Sequence, residues 1–370
     1  MTEHAARMKL PPRIELAALP TPLTAAPRLA AAMGAGCLLV KRDDLSGFAF
    51  GGNKARPLEF LVAAAREQCA DTLLTGGSAG SNFCAAAAAA ARVAGLACHL
   101  VIAGEPAQRP PGLSLARSWG ASVSWTHTAD RASVDTVLPR VAAQLAARGQ
   151  RPYVVPRGGA TALGAVGYAV AAGELNDQLT GRGLQPEYVV VAVGSGGTLA
   201  GLIAGNVLLG RPWRLVGASV SRSPRQTSRR VLELASTCVR LLTAQRQDAE
   251  CRDAQCRDAQ CQAGRGARRG VAAAMVAGGG QEAPGPPLAP AVTDADVEIV
   301  DARGPGHGLA SRDGRRAADT AMTTEGIVVD PVYTAKALQV VRRVAGQREV
   351  VFWHTGGLLD TIAAAQECQR

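Results

Sequence analysis

The stretch "GFAFGGNKARPLEF", residues 47–60, sets Lys54 behind a glycine pair and an asparagine, where an amphipathic helix begins. Among 40 basic residues only Lys9, Lys41, Lys54 and Lys336 are lysines. Arginine serves the other basic positions, so a lysine at a glycine-flexible helix start points to chemistry of the amine itself. An unprotonated amine can add to an aldehyde and form a Schiff base. The bland alternative is a solvated first-turn residue, which arginine would fill equally well.

A second stretch, "YVVVAVGSGGTLAGLIAG" at 188–205, runs an apolar strand through Gly194, Ser195, Gly196, Gly197 and Thr198 into an apolar helix. Backbone N–H groups of such a loop, backed by a helix N-terminus, suit a phosphate. The dinucleotide pattern G-x-G-x-x-G fails, because Leu199 stands at its last position. "GFAFGGNK" is also no nucleotide P-loop, because Asn53 stands where that motif has its lysine. A tight packing turn would explain the glycines alone. A phosphate loop together with an isolated lysine instead suggests an aldehyde cofactor carrying a phosphate.

These residues need a scaffold, and 370 residues suffice for one large domain or two ordinary ones. Aromatic content is 4%, so the core is built from Ala, Val and Leu. No run of about 18 apolar residues predicts a membrane span. The N-terminal "MTEHAARMKLPPR" lacks a signal-peptide core, which predicts a cytoplasmic protein. The net charge of +10 does not read as nucleic-acid binding, since no basic helix is interleaved with aromatics. Cys251, Cys256 and Cys261 recur at five-residue intervals, unlike zinc-ligand pairs, and read as free thiols with no metal.

Short apolar runs such as "CLLVKRD", "DTLLTGG", "ACHLVIAG", "EYVVVAVGSGG" and "REVVFWHTGG" alternate with Ala-rich helical stretches. That alternation predicts parallel strands joined by crossover helices, an α/β fold with ligands at the Gly-rich strand ends. The segment 243–290 breaks the rhythm with "CRDAQCRDAQCQ" and "GGGQEAPGPP". It carries few large apolar residues and is expected to be a flexible surface insertion.

The chain resembles the pyridoxal-phosphate (PLP) enzymes of the D-cysteine desulfhydrase and aminocyclopropane-carboxylate deaminase family, of fold type II (tryptophan synthase beta-like). The likeness runs from "LPTPLTAAPRLA" and "GGNKARPLEF" through "GGSAGSNF", "VPRGGATALGAVGY" and "GSGGTLAGLIAG" to "EGIVVDPVYTAKAL" and "FWHTGGL". It implies a two-domain fold with a parallel-rich twisted sheet in each domain. The large PLP-binding domain would comprise 1–58 and 168–370, and the small domain 59–167. It further implies a homodimer acting on a small amino acid.

By the same resemblance, Lys54 is the Schiff-base lysine and Asn82 bonds the ring hydroxyl of PLP. Ser81 stands near the substrate carboxylate, and Gly194, Ser195, Gly196, Gly197 and Thr198 form the phosphate cup. Tyr333 approaches the bound substrate, and Thr355 lies beside the pyridine nitrogen. "DPVYT" and "HTGG" resemble the desulfhydrase branch, whereas the deaminase branch has Glu where this chain has Thr334. Neither Thr334 nor Thr355 carries a charge to stabilise a protonated ring, which implies α,β-elimination.

Two departures stand out. Phe83 replaces a His or Gln near the substrate carboxylate, and His307 replaces a tyrosine in "GPGHGLAS". His307 would be an acid or base near neutral pH, or a substitution that merely keeps the fold. Together they imply a lyase adapted to another small β-substituted amino acid. A β-replacement synthase, a cyclopropane ring-opening deaminase and a PLP-binding protein without turnover remain as alternatives.

Overall fold

The computed structural model describes residues 10–50, 52–107, 110–265, 290–306, 308–359 and 361–362, with side chains at 245–265 left aside. Its strands fall into two sheets. The first is built from β1 (Leu23–Ala25), β2 (Cys37–Arg42), β7 (Tyr188–Val193), β8 (Arg214–Ser219), β9 (Glu298–Asp301) and β10 (Glu349–His354), in the order β1-β2-β10-β7-β8-β9. The second is built from β3 (Thr72–Ser78), β4 (Ala97–Ala103), β5 (Ser122–Trp125) and β6 (Pro152–Val154), in the order β5-β4-β3-β6. Every pairing is parallel except β1 with β2, an antiparallel edge that the apolar runs did not announce. Parallel neighbours need crossovers, and helices supply them: α1 (Pro27–Met33), α2 (Ala55–Glu67), α3 (Asn82–Val93), α4 (Pro111–Ser118), α5 (Ser133–Ala147), α6 (Ala162–Thr180), α7 (Gly197–Leu208), α8 (Pro224–Arg265), α9 (Arg312–Glu325) and α10 (Thr334–Val344). The protein is an α/β protein with parallel-rich sheets.

The strand composition follows from burial on both faces. β7 reads YVVVAV and is buried at every position, so no polar alternation survives in it. Ala-rich helices pack closely on these sheets, with Ala85 to Ala91 of α3 all buried. Residues 243–265, expected to be flexible, continue α8 as helix; Ala, Gln, Arg and Glu in the pentads favour that state. Residues 266–289 of that segment lie outside the described residues.

One buried polar cluster ties the first sheet to α2. The Arg56 guanidinium donates to Asp43 Oδ1 at 2.8 Å and to both oxygens of Glu174 at 2.9 and 3.0 Å. Asp43 Oδ2 accepts from Tyr168 Oη at 2.5 Å and Trp353 Nε1 at 2.8 Å. Lys41 Nζ donates to Glu174, to Thr21 O at 2.6 Å and to Gln178 Oε1 at 2.8 Å. Arg56 sits in the first turn of α2, so this cluster fixes the helix start that follows Lys54.

Candidate active site

Strand ends converge on one cavity of about 540 Å³. Its wall includes Lys54, Ser81, Asn82, Gly194, Ser195, Gly196, Thr198, Tyr333 and Thr355. They arrive from the C-terminal ends of β3, β7 and β10 and from the starts of α2, α3 and α10, where parallel sheets place ligands. Gly197 opens α7 one step behind this wall, against Ala160. His307 lies outside the described residues, although Lys336 Nζ holds the carbonyls of Arg303 at 2.7 Å and Gly306 at 2.9 Å just before it.

Lys54 is the N-cap of α2 and half-buried. Among the described residues its amine has no hydrogen-bond or ion-pair partner, and burial pulls its pKa down from 10.5 to about 8. Two contacts fix the loop before it. Asn53 N donates to Thr355 O at 2.9 Å, and Asn53 Nδ2 donates to Thr198 Oγ1 at 2.9 Å. The loop also approaches its neighbour closely: a β-carbon on Gly356 would stand 2.5 Å from Gly52 Cα. Asn53 therefore joins the lysine to both the glycine loop and Thr355.

The glycine loop fits a phosphate. Gly196, at φ 100°, caps α7 with no side-chain partner. The N–H groups of Gly197, Thr198 and Leu199 then have no carbonyl one turn back to receive them. Arg222 Nη1 donates to Gly194 O at 2.8 Å and Arg230 Nε to Ser195 O at 2.8 Å. With those carbonyls engaged, the loop and helix end leave donors and positive dipole for an anion. An aldehyde partner, Lys54, stands in the same cavity, so the residues present fit pyridoxal phosphate.

Ser81 caps α3, accepting from Cys84 N at 3.3 Å, and its hydroxyl also reaches the Cys84 thiol, whose pKa burial pushes up to about 11 against that hydrogen bond. Phe83 is fully buried and its ring fills the space over Gly159, where a β-carbon would meet it at 2.5 Å. The ring of Tyr333 lies against the glycine loop: a β-carbon on Gly194 would stand 3.1 Å from Tyr333 Cε1.

Sequence reasoning missed Asp330 and four arginines on the cavity wall, Arg131, Arg157, Arg222 and Arg230. Asp330 accepts from the N–H groups of Val332 at 2.9 Å, Tyr333 at 2.7 Å and Thr334 at 2.9 Å, and from Thr334 Oγ1 at 2.5 Å. Burial raises its pKa against the pull of those donors. It fixes the turn that presents Tyr333, and its place three residues ahead of that tyrosine was the available signal. Nothing in the sequence marked the arginines, which come from the turn before α5, the turn before α6, the β8–α8 connection and the first turns of α8.

Comparison with known proteins agrees with this geometry. Residues 14–356 match the family model described as "Pyridoxal-phosphate dependent enzyme". The D-cysteine desulfhydrase of Salmonella choleraesuis is 33% identical over 94% of each chain. That of Klebsiella pneumoniae strain 342 is 31% identical, again over 94% of each. A solved "ACC deaminase homologue" superposes with a TM-score of 0.76 at 28% identity, covering 97% of this chain and 95% of its own. A solved threonine deaminase, at 21% identity and a TM-score of 0.59, shares the fold over 91% of this chain and 92% of its own. A cradle for phosphate beside an unpaired amine, on a fold type II scaffold, thus coincides with a match along nearly the whole chain, which belongs to the pyridoxal-phosphate-dependent enzyme family.

Proposed function

We propose that this enzyme catalyses α,β-elimination from a small β-substituted amino acid, in the manner of a D-cysteine desulfhydrase. One observation carries the choice of reaction. Thr334, standing where a deaminase has its glutamate, donates to Asp330 and does not line the cavity, while Thr355 on the wall is neutral. No charge beyond the already engaged Asp330 is offered from this side to stabilise a protonated ring, which suits elimination better than ring opening.

Pyridoxal phosphate supplies, when bound, an aldehyde for the amine and an electron-accepting ring. Lys54 Nζ, with its pKa near 8, is partly neutral at physiological pH and takes the α-proton. The N–H groups of Gly196, Gly197 and Thr198 and the Ser195 segment hold the phosphate. Ser81 orients the substrate carboxylate and Asn82 the ring hydroxyl, both at the start of α3. The Tyr333 hydroxyl assists departure of the β-substituent, with His307 as the second acid. Phe83 removes a polar contact, so the preferred substrate differs from D-cysteine.

The same reading places residues 1–58 and 168–370 in a large domain and 59–167 in a small one, in a cytoplasmic homodimer. Two separate sheets support the first part; the family resemblance supports the second. No helix among the described residues is long and apolar enough to cross a membrane.

The test is release of pyruvate and ammonia from D-cysteine, β-chloroalanine and cysteate, with and without added thiol. Elimination predicts pyruvate in both conditions. Thiol capture at the expense of pyruvate would identify a β-replacement synthase, and product only from the cyclopropane amino acid a ring-opening deaminase. Spectral change with no product from any amino acid would mean a PLP-binding protein without turnover.

A further inference from the structure

The cavity wall is rich in arginine, and one of its arginines makes no side-chain hydrogen bond among the described residues. Its described lining holds Lys54, Arg131, Arg157, Arg222 and Arg230 against only Asp135 and Asp330. Three of the arginines are committed. Arg157 forms a two-pronged pair with Asp135 at 2.7 and 2.5 Å, and Arg222 and Arg230 hold the carbonyls of the glycine loop at 2.8 Å each.

Arg131 is different. Among the described residues its side chain makes no hydrogen bond or ion pair, although it is half-buried on the cavity wall. It sits in the turn between β5 and α5. That turn is braced by Ala132 N donating to Asp130 Oδ1 at 2.9 Å and Ser133 Oγ to Thr126 Oγ1 at 2.8 Å. Its guanidinium lies within the electrostatic reach of Tyr333, across from the second sheet, of Arg157, and of the neighbouring Asp130 carboxylate, which is itself engaged by Ala132 N. Partial burial and Arg157 lower its pKa, but a guanidinium remains charged at any physiological pH. A partly desolvated cation whose fork holds no hydrogen bond costs free energy that the Asp130 carboxylate offsets only from a distance, and an anion bound against it would recover that cost. Guanidinium is also the group whose planar fork best matches an oxyanion.

We infer that Arg131, backed by Arg157, forms a subsite for a second anion on the substrate, so that the preferred substrate is a small amino acid whose β-substituent is a sulfonate or a phosphate ester. The inference rests on the elimination reading and names its substrate class. The reaction balances without an oxidant. The α-C–H bond breaks and its proton passes to Lys54; the β-C–S or β-C–O bond breaks and its electron pair leaves with sulfite or phosphate. Water then converts the enamine product into pyruvate and ammonium.

The test uses the holoenzyme and measures pyruvate release from each enantiomer of cysteate, O-phosphoserine and β-chloroalanine, the last bearing a neutral β-substituent with a good leaving group. The expected result is at least a tenfold higher kcat/KM for cysteate or O-phosphoserine than for β-chloroalanine of the same hand; the two arms separate sulfonate from phosphate. R131Q should lose at least tenfold more kcat/KM on the anionic substrate than on β-chloroalanine, chiefly through KM, and R131K should recover part of it. A wild-type preference for β-chloroalanine, or an equal loss on both substrates in R131Q, overturns the subsite. If no amino acid yields pyruvate, the elimination reading fails by itself. Titration of the cofactor's visible band then still ranks the ligands. Tighter binding of cysteate or O-phosphoserine than of alanine, by tenfold or more and reduced in R131Q, sustains the subsite, and equal binding refutes it.

Discussion

Lys41 and Lys54 lie on either side of one loop, and both are taken out of water, yet their surroundings differ in kind. Lys41 is fully buried among Glu174, Gln178 and the carbonyl of Thr21, with Asp43 and Arg56 adjoining. Lys54 faces a cavity with no such partner among the described residues. Desolvation acts on both amines, but carboxylates counter it only at Lys41. A buried cation that is fully paired cannot easily give up its proton or move, and it holds structure together. An unpaired one is shifted towards the neutral nucleophile and held ready to react.

The largest effect expected from breaking this contrast is on turnover. K54A should lower kcat by about 10³-fold or more, given what a positioned base and nucleophile contributes. It should also abolish borohydride fixation of the cofactor, with peptide mapping of the wild type placing the label on Lys54. Label on Lys41 or Lys336 would reverse the assignment.

Next comes stability. E174Q removes one carboxylate from between Lys41 and Arg56 and leaves buried positive charge uncompensated. It should cost about 3–5 kcal/mol in denaturant unfolding. A loss below about 1 kcal/mol would mean that the cluster is not the clamp described.

The two sides also titrate for opposite reasons and in separate pH windows. Burial alone would raise the Asp43 pKa, but the Arg56 guanidinium and its hydrogen bonds hold it at about 2, below the ordinary 3.8. Its stabilisation of about 2 kcal/mol is therefore complete above about pH 4 and lost as the pH falls towards about 2. For Lys54 the folded pKa, about 8, is also below the ordinary 10.5, but the group is a cation when protonated. Between those values the unfolded chain binds the proton and the folded one does not, so apoprotein stability should rise with pH over that window. K54M should flatten this rise and leave the acid limb intact; a rise that persists in K54M would assign it to another group.

The smallest effect is expected from deleting 245–288. α8 buries Val231, Ala235, Cys238, Val239 and Leu242 before that point, so the deletion spares its core contacts. Stability should change by no more than about 0.5 kcal/mol, with cofactor binding retained. An insoluble or colourless product would make the segment structural.

Much of this organisation was readable in advance. Apolar runs such as VVVAV announce strands covered on both faces, and their Gly-rich ends announce loops that approach a ligand. Scarcity singled out the lysines but could not rank Lys41 below Lys54, because the difference lies in Glu174, distant in sequence and adjacent only through packing. Arg131 was invisible for the same reason: its meeting with Tyr333 depends on a cleft between two sheets rather than on any local pattern. The continuation of α8 through the pentads was missed because low apolar content was equated with absence of helix, whereas helix propensity and core-forming capacity are separate properties.

The cavity wall is divided between the sheets in a way that matters to an engineer. Phe83, Arg131, Asp135, Leu138 and Arg157 belong to the part of the chain that carries the four-stranded sheet, while Gly194, Ser195, Gly196, Thr198, Tyr333 and Thr355 belong to the six-stranded one. A mutant library confined to 76–80, 83, 131–139 and 156–159 would therefore explore substrate preference while leaving Ser81, Asn82, the glycine loop and Thr355 untouched. Most of its members should still bind cofactor, and the colour of a bacterial colony extract would report folding before any activity was assayed. Selection for a new amino acid can thus proceed on one half of the molecule against a constant chemical background supplied by the other.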